Sequence, residues 1–304
     1  MYITVILCTY NRCDSLARTL DSILMSTLPE SFEWEILVVD NNSSDQTSRV
    51  VESFCQKHPG RIRYLFEPCQ GKSYALNSGI TRSNGDILAF VDDDVSVEPM
   101  WLNNLTSVLH DDKWAGSGGR ILPVRGYLPP PWLALDGPYN LLGALCAYFN
   151  PGDSPGELRS PPIGANMAYR KEMFDRYGLF RTDLGPRPGS EIRHEDTEYG
   201  CRLIDGGEHI CYVPSAVVYH EIHEKRVQKD FFLAWWFDFG RGSVRGKKNN
   251  LTCVQGMIII VLALQAVLRW SLTRDPQRRF YCKCRLWCAV GKLIEGRRQL
   301  NNHI

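Results

Sequence analysis

The chain has 304 residues, of which 44% are hydrophobic and 23% charged, and its formal net charge at pH 7 is +1. This composition can bury a full core and excludes a disordered chain, and the length fits one large domain or two. The eleven cysteines are odd in number and mostly lie in or beside apolar segments, which predicts reduced thiols rather than a disulfide framework. Residues 1–7 have the pattern of a strand and not of a secretion signal, which predicts a cytoplasmic catalytic part.

Positive charge is concentrated at the C-terminal end of the chain. Residues 269–304 contain nine Lys or Arg against Asp275 and Glu295, a net charge of +7, so the residues before them carry −6. An apolar segment, residues 251–268, lies directly before this basic tail. This arrangement is typical of attachment to an anionic membrane surface, but eighteen residues are marginal for a hydrocarbon core of ~30 Å. We therefore predict peripheral membrane contact, with a buried helix as the alternative. Nucleic acid is not predicted, because the charge is not spread through a domain with aromatic stacking positions.

Short apolar runs alternate with helical patterns in the first third of the chain. The predicted strands are residues 3–7, 34–39, 62–66 and 87–91, and the predicted helices between them lie around residues 16–24, 50–54 and 73–80. Such alternation predicts a parallel sheet, whose ligands bind beyond the carboxyl ends of the strands. Polar residues follow three of these strands, at 9–12, 40–45 and 92–94. The pattern therefore predicts one site at this edge of the sheet.

The remainder of the chain is less regular. Residues 122–162 are rich in Pro and Gly, which predicts a long irregular connection. The elements predicted after it are an ordered segment at 164–170, a helix over 195–203 that stops at Asp205-Gly206-Gly207, and strands at 210–213 and 217–220. We divide the chain into a catalytic domain, residues 1–245, and an apolar, then basic, helical tail, residues 246–304. The catalytic domain has a nucleotide-binding half, 1–120, and an acceptor half, 121–245.

Three consecutive carboxylates, Asp92, Asp93 and Asp94, follow the fourth predicted strand. Successive strand residues point to opposite faces, so Asp92 and Asp94 share one face and can reach one cation. Crowded carboxylates repel each other, and a divalent metal relieves that repulsion. Oxygen ligands suit Mg²⁺ or Mn²⁺. The triplet therefore predicts a metal site, with an exposed acidic turn as the alternative.

Three other motifs carry candidate chemistry, and each has a structural alternative. The Gly-Lys-Ser sequence at Lys72 is not a P-loop, because Phe66 stands where that motif requires its first glycine. Lys72 is either a phosphate contact at a helix start or a solvated lysine. Glu195 and Asp196 open a predicted helix, where they complement its dipole or supply a general base. His220 ends a predicted strand and is either a metal ligand or a packed histidine.

Taken together, these motifs resemble the family 2 glycosyltransferases, inverting enzymes with the A-type nucleotide-sugar fold, and specifically the bacterial cell-surface polysaccharide type. The resemblance covers about residues 3–245. It rests on the order and spacing of Thr9-Tyr10-Asn11-Arg12, Val39-Asp40-Asn41-x-Ser43-x-Asp45-x-Thr47, Gly71-Lys72-x-x-Ala75-x-Asn77-x-Gly79, Asp92-Asp93-Asp94, Gly164-Ala165-Asn166-Met167, His194-Glu195-Asp196-Thr197-Glu198 and His220. It implies an α/β fold with a Rossmann-like, mostly parallel sheet flanked by helices, followed by a helical membrane-proximal tail.

The resemblance also implies roles for individual residues. Asp196, with Glu195 beside it, would deprotonate the acceptor hydroxyl, and Asp94 and His220 would bind Mg²⁺ or Mn²⁺. Within the triplet, Asp92 would approach the ribose, and Asp93 faces the other way. The residues assigned to the nucleotide and the donor sugar are Thr9, Tyr10, Arg12, Asp40, Lys72, Asn77, Asp92, Asp93 and Asn166.

The implied activity is inverting transfer of a sugar from a nucleotide-diphosphate sugar to a hydroxyl of a glycan or lipid-linked acceptor. A UDP sugar is the expected donor, and the expected place is the inner face of the cell membrane, in cell-surface polysaccharide synthesis. One alternative is a nucleotidyltransferase of sugar metabolism, although residues 9–12 lack the glycines of its phosphate loop. The other is a non-catalytic carbohydrate-binding protein, since a fold does not guarantee activity.

Overall fold

The structure is a computed structural model and describes residues 1–28, 32–247 and 250–301. The strands in these ranges are β1 (Tyr2–Thr9), β2 (Glu33–Asp40), β3 (Ile62–Phe66), β4 (Ile87–Asp92), β5 (Val95–Val97), β6 (Trp114–Pro123), β7 (Gly156–Glu157), β8 (Asn166–Arg170) and β9 (His209–His220). The α-helices are α1 (Cys13–Leu24), α2 (Thr47–Lys57), α3 (Lys72–Arg82), α4 (Trp101–Ser107), α5 (Leu142–Cys146), α6 (Glu172–Tyr177), α7 (Glu195–Asp205), α8 (Lys229–Arg245), α9 (Cys253–Leu272) and α10 (Pro276–Asn301).

The chain forms two compact units, and each is discontinuous in sequence. The first contains the sheet and is made of residues 1–122, 149–182 and 196–221. The second contains α5, α8, α9 and α10 and is made of residues 123–148, 183–195 and the described part of 222–304. This division differs from the predicted boundaries after residues 120 and 245. The reason is that β8 and β9 complete the sheet of the first unit, whereas α8 packs against α10 in the second.

The sheet has a parallel half and an antiparallel half. Its strand order is β3-β2-β1-β4-β8-β6-β9-β5, with β7 paired to β9. Strands β3, β2, β1 and β4 are parallel to one another, as the alternation of strand and helix predicts. The pairs β4–β8, β6–β8, β5–β9 and β7–β9 are antiparallel. The parallel half agrees with the predicted fold class, and the antiparallel half is an addition to it.

Both faces of the parallel half are covered by helices. Alternate residues of β1 serve two cores: Val5 packs in the core with α1, α2 and α4, and Ile6 in the core with α3, α6 and α7. Both side chains are completely buried, and full burial of such a side chain contributes about 1.5–3 kcal/mol. With both faces covered, the carboxyl ends of the strands are where this half of the sheet can present polar side chains.

Helices α8 and α10 of the second unit approach each other at glycine positions. A β-carbon at Gly240 would lie 2.1 Å from the carbonyl oxygen of Cys288, and one at Gly291 would lie 2.0 Å from that of Phe237. Glu295 of α10 is buried between the helices and accepts hydrogen bonds from two arginines of α8. The two helices therefore form one closely packed layer, joined by a buried ionic group.

Helix α9 lies antiparallel along α10 and exposes most of its surface. Leu251, just before α9, contacts the position of Gly296 near the end of α10, and Ala266 lines a groove together with Cys282 near its beginning. Among the residues of α9, all of which are described, only Ile259 and Ala266 are buried. By length and composition α9 could cross a membrane. In the structure it packs along α10 as the outer helix of the layer.

Candidate active site

The ends of adjacent parallel strands bring three predicted site residues to one edge of the sheet. In the register of these strands Thr9 lies beside Asp40, and Cys8 lies beside Asp92. The loops that follow β1, β2 and β4 therefore start from neighbouring positions. The alternation of strands and helices predicts this clustering of Thr9, Asp40 and Asp92 at one edge of the sheet.

The first two of these loops are tied together by hydrogen bonds. Asn11 adopts a left-handed backbone conformation, with φ of 52°, and its N–H donates to Oγ of Ser43 at 2.9 Å. Asp45 accepts hydrogen bonds from the N–H groups of Cys13 (3.1 Å) and Thr47 (3.0 Å). Burial raises the pKa of Asp45, but the hydrogen bonds from Thr47 and Cys13 outweigh it and the net shift is downward. The rim of the site is thus held by an ionised carboxylate.

Asp40, at the end of β2, is held by hydrogen bonds within the protein. It is buried and accepts hydrogen bonds from the N–H of Ser43 at 2.9 Å and from the hydroxyl of Tyr64 at 2.8 Å. Burial, together with the bond to Asp40, raises the pKa of Tyr64. Thr9 is buried as well, whereas 38% of Tyr10 is exposed. Of these residues, Tyr10 therefore has the surface most open to a ligand.

Asp92, Asp94 and His220 form a group that could hold a metal ion, with their ligand atoms within 4.8 Å of one another. Nδ1 of His220 lies 2.9 Å from the carbonyl oxygen of Glu221, which can only accept, so Nδ1 carries the proton. In the neutral imidazole, which is the form that binds a metal, the lone pair of Nε2 faces Oδ1 of Asp94, 3.3 Å away. Two neighbouring ligands of an octahedral ion lie about 3 Å apart when each is ~2.1 Å from it. The arrangement fits Mg²⁺ or Mn²⁺.

Two cations form ion pairs with the acidic triplet. Nη1 of Arg12 lies 2.9 Å from Oδ1 of Asp93 and 2.6 Å from Oδ2 of Asp94, and Nζ of Lys72 lies 2.7 Å from Oδ1 of Asp92. Burial raises the pKa of Asp93 to about 6, against the opposing charge of Arg12. Burial also raises the pKa of Asp92, but the charge of Lys72 brings the net shift below the ordinary value. The triplet is thus part of a compact charge network rather than an exposed acidic turn.

Asp196 lies beside this network. Its Oδ2 accepts a hydrogen bond from the N–H of Gly164 at 2.7 Å. A β-carbon at Gly164 would lie 3.3 Å from that oxygen and 3.7 Å from Nζ of Lys72, so the two charged groups flank the glycine. Asp196 is half-buried, whereas Glu195 is buried. Of the two carboxylates, Asp196 is the more accessible to an incoming hydroxyl. Gly164 was not assigned to the site from the sequence, although its place in a quoted motif could have identified it.

The side chain of Asn166 is used in hydrogen bonds within the first unit, and its predicted contact with the donor stays a prediction. It is completely buried. Its amide nitrogen donates to the carbonyl oxygens of Arg120 (2.9 Å) and Ala216 (2.8 Å), and its oxygen accepts from Nε1 of Trp101 (2.8 Å). Both amide hydrogens are thereby used. Asn166 holds neighbouring strands and a helix of the first unit together.

The side chain of Asn77 is also used in hydrogen bonds to the protein backbone. Its amide nitrogen donates to the carbonyl oxygen of Phe180 at 2.8 Å, and its oxygen accepts from the N–H of the same residue at 3.0 Å. This reciprocal pair of hydrogen bonds satisfies both the N–H and the carbonyl group of Phe180, which is 103 residues further along the chain. Asn77 therefore connects the segment after α6 to α3, and its predicted contact with the donor stays a prediction.

Comparison with known proteins identifies the family. Residues 4–178 match the model of the family described as "Glycosyl transferase family 2", and the chain belongs to this family. The glucosyl-dolichyl phosphate glucuronosyltransferase of Haloferax volcanii is 27% identical over 256 residues, which is 79% of this chain and 76% of that protein. The succinoglycan biosynthesis protein ExoM of Rhizobium meliloti is 29% identical over 239 residues, 77% of this chain and 70% of that protein. The predicted family is confirmed.

Solved structures confirm the predicted fold class. The mannosyltransferase PcManGT from Pyrobaculum calidifontis, solved with GDP-Man and Mn²⁺, has a TM-score of 0.59 at 18% identity and covers 99% of this chain and 75% of its own. A segment of S. aureus TarS in complex with UDP has a TM-score of 0.55 at 14% identity, and the match covers 98% of this chain and 92% of the TarS segment. The α/β architecture is thus that of the A-type nucleotide-sugar fold. The enzyme class is glycosyltransferase, in preference to the nucleotidyltransferase and the carbohydrate-binding protein.

Proposed function

We propose that this protein is a metal-dependent, inverting glycosyltransferase that moves a sugar from a nucleotide-diphosphate sugar to a hydroxyl of a glycan or lipid-linked acceptor. The observation that carries the proposal is the placement of Asp196 beside the charge network of Lys72, Asp92 and Asp94. One compact site thus holds a candidate base and the groups that can bind a metal and a diphosphate. The relatives with roles in dolichyl phosphate glycosylation and succinoglycan biosynthesis support a role in cell-surface polysaccharide synthesis.

The donor side of the site suits a nucleoside diphosphate. Asp94 and His220, with Asp92 nearby, would hold Mg²⁺ or Mn²⁺, and the bound ion would neutralise charge that develops on the leaving diphosphate. Lys72 opens α3, and a cation at a helix N-terminus favours a phosphate group. Tyr10 offers an exposed ring for the base. A UDP sugar is the proposed donor, although solved structures of this fold contain UDP or GDP-Man.

Asp196 is the proposed general base. The N–H of Gly164 fixes one oxygen of its carboxylate, which orients the group for proton transfer. The acceptor hydroxyl gives its proton to Asp196 while its oxygen forms a bond to the anomeric carbon. The bond from that carbon to the diphosphate breaks on the opposite side, and the electron pair stays with the diphosphate. A single displacement of this kind inverts the anomeric centre.

Replacement of the base tests this assignment. We expect Asp196→Asn to lower the transfer rate by about 10²–10⁴-fold, because the amide cannot accept the proton, while affinity for UDP stays close to wild type. The rate is measured with a donor chosen by screening nucleotide sugars for metal-dependent thermal stabilisation. Asp205→Asn is the matched control, since Asp205 is the exposed acidic residue at the other end of α7. Full turnover by Asp196→Asn would refute the assignment.

The second unit supports peripheral attachment to the inner face of the cell membrane. The outward side of α9 carries large exposed apolar side chains, among them Ile258, Leu262 and Leu268. Because α9 lies along the full length of the charged helix α10, it cannot cross a bilayer without carrying α10 with it. An apolar face flanked by basic residues fits the surface of an anionic leaflet instead. The proposed contact would keep the enzyme close to a lipid-linked acceptor.

Vesicle binding tests this contact in the full chain. Truncation before α9 is unsuitable, because α10 buries part of α8. We expect the double variant Leu262→Gln with Leu268→Gln to sediment at least about tenfold less with anionic vesicles, because it removes apolar area that would enter the membrane. Leu300→Gln, an exposed leucine of α10, is the control and should bind like wild type. Unchanged sedimentation of the double variant would contradict the proposal.

A further inference from the structure

A small groove lies between α9 and α10, close to the turn that connects them. Its volume is about 90 Å³, and it is lined by two residues of α9 and four of α10: Ala266, Trp270, Cys282, Lys283, Leu286 and Trp287. Five of these side chains are apolar, and Lys283 is the charged one. Sites that enclose a drug-sized molecule have volumes of ~300–1,000 Å³. The groove therefore suits a section of one hydrocarbon chain and is too small for a nucleotide.

Two indole rings stand at the sides of this groove. Trp270 and Trp287 each expose 38% of their surface. Exposed tryptophan is typical of positions where one end of the ring is apolar and the other is wet, as at the headgroup level of a membrane. The small side chain of Ala266, which is buried between the rings and the helices, leaves the space that a larger residue would fill.

Positive charge continues the groove along α10. Arg279 and Lys283 are exposed and one helical turn apart, so they share a helix face with Leu286 and Trp287. The guanidinium of Arg279 lies 5.1 Å from the ring centre of Trp270. In the part of the chain that the structure describes, neither cation forms an ion pair with a carboxylate. Residues 269–287 contain six Lys or Arg and one acidic residue, so this end of the two helices attracts anions.

We propose that the groove binds one anionic phospholipid of the membrane, with a section of one acyl chain between Trp270 and Trp287 and the phosphate at Arg279 and Lys283. The apolar lining removes the chain from water, and the two cations complement the headgroup charge. A soluble phosphate has the charge but no chain. A second copy of this protein that docked through the same face would bring like charges together.

This site goes beyond the general contact proposed for the outward side of α9. That contact involves many lipids at once, whereas the groove selects a single lipid by its charge. The lipid site does not depend on the transfer reaction.

Counting the bound lipids tests the site. Native mass spectrometry of the full-length protein in a neutral detergent is used with added phosphatidylglycerol, and we expect one lipid per chain. Phosphatidylcholine with the same acyl chains has no net charge and should bind at least about tenfold more weakly. Glycerol phosphate, which has no acyl chain, should bind at least about tenfold more weakly as well. Equal binding of the two lipids, or tighter binding of an isoprenoid phosphate than of phosphatidylglycerol, would overturn the proposal.

Reversal of one charge tests the headgroup contact. We expect Lys283→Glu to weaken phosphatidylglycerol binding by at least about tenfold, because it replaces an attraction by a repulsion. Arg297→Glu is the matched control: it makes the same change of charge at an exposed position of α10 outside the groove, and it should bind like wild type. Equal losses in the two variants would show attraction to the whole basic helix and would contradict a site.

Filling the groove tests the chain contact. We expect Ala266→Leu to lower phosphatidylglycerol binding by at least about tenfold, because its side chain occupies the space for the acyl chain. Circular dichroism and the melting temperature establish that this variant is folded. Unchanged binding by the folded variant would overturn the proposal, and Lys283→Glu provides the test if Ala266→Leu does not fold.

These measurements separate the lipid site from the proposed function. If wild type sediments with anionic vesicles but binds no single phosphatidylglycerol, the surface contact of α9 stands and the lipid site is wrong. Lys283→Glu should transfer sugar to a soluble acceptor at the wild-type rate, because Lys283 is not assigned to the candidate active site. Loss of transfer with lipid binding intact would refute the proposed reaction roles alone.

Discussion

At the scale of single residues, the half-buried carboxylate of Asp45 connects the starts of two helices. It accepts hydrogen bonds from Cys13 at the start of α1 and from Thr47 at the start of α2. Helix α1 follows the loop after β1, which contains Arg12, and helix α2 follows the loop after β2. Hydrogen bonds to an ionised carboxylate are stronger than neutral ones, so the charge of Asp45 contributes to the rigidity of the rim.

We expect Asp45→Ala to lower the free energy of unfolding at pH 7 by about 1 kcal/mol, because the N–H groups of Cys13 and Thr47 lose a charged hydrogen-bond acceptor. The pKa of Asp45 is lowered in the folded state. Its contribution is therefore complete above the ordinary carboxyl value of 3.8 and is lost as the pH falls through the folded value. Denaturant unfolding from pH 7 to pH 3 should show the difference from wild type shrinking below about pH 4. A constant difference, or an equal effect of Asp21→Ala on exposed α1 surface, would contradict this account.

The sequence identifies charged site residues more readily than amides. The structure brings Asp92 and Asp94 of the acidic triplet together with His220, as their positions at strand ends predict. The structural hydrogen bonds of Asn166 and Asn77 are not predicted from the sequence, because an amide both donates and accepts, which suits a backbone as well as a ligand. Their partners, such as Ala216 and Phe180, are distant in sequence, so only the fold reveals them.

At the scale of elements, the contact of α8 with α10 depends on residues without side chains. The β-carbon of any other residue at position 291 would lie 2.0 Å from the backbone oxygen of Phe237, a separation that atoms cannot adopt. Backbone cannot move aside as a flexible side chain can. These two helices are therefore held at a fixed close distance.

Two glycine substitutions measure this dependence. Gly291→Ala should lower the free energy of unfolding by about 1–3 kcal/mol or more, because the helices must separate. Gly256→Ala, in α9, should be neutral or stabilising by up to about 1 kcal/mol, because a β-carbon there meets no atom within 4 Å and alanine favours the helix. Both values come from chemical denaturation of the full-length protein. Equal effects of the two substitutions would show that the close approach is not limiting.

The elements that are predicted from the sequence are those with strong local patterns. The parallel strands are continuous apolar runs, and each is found within a few residues of its predicted place. Strand β6 is not predicted, because its glycines hide its β character: a β-carbon at Gly116 would lie 2.3 Å from the ring of Tyr169. Strand β9 is predicted as two strands because Pro214 interrupts it, yet it runs unbroken. Long-range packing decides such cases.

At the scale of the whole molecule, the eleven cysteines are predicted to be reduced thiols. All eleven are free in the structure. Cys282, Cys284 and Cys288 are buried in α10, and burial raises the pKa of each thiol. Cys69 and Cys253 are exposed. A raised pKa lowers the fraction of thiolate, the reactive form, so burial and ionisation both protect the three thiols of α10.

Alkylation should therefore divide the cysteines into two classes. With iodoacetamide at neutral pH, we expect rapid labelling of Cys69 and Cys253 and at least about tenfold slower labelling of the three α10 thiols, as mass spectrometry of peptides would show. After unfolding in denaturant without a reductant, all eleven should be labelled. A cysteine that is labelled only after reduction would reveal a disulfide and contradict the prediction.

The pairing of the short strand β5 with β9 sets the position of His220 in the candidate metal group. Strand β5 has three residues and pairs with β9 so that Val95, next to Asp94, lies opposite His220. The N–H of Glu221 also donates to the carbonyl oxygen of Asp94 at 2.8 Å. A slip of one residue in this pairing would turn His220 to the other face of the sheet while the acidic triplet stayed in place. Metal binding would thus distinguish chains with the correct β5–β9 register from chains with a shifted register, even where both have the same secondary structure content.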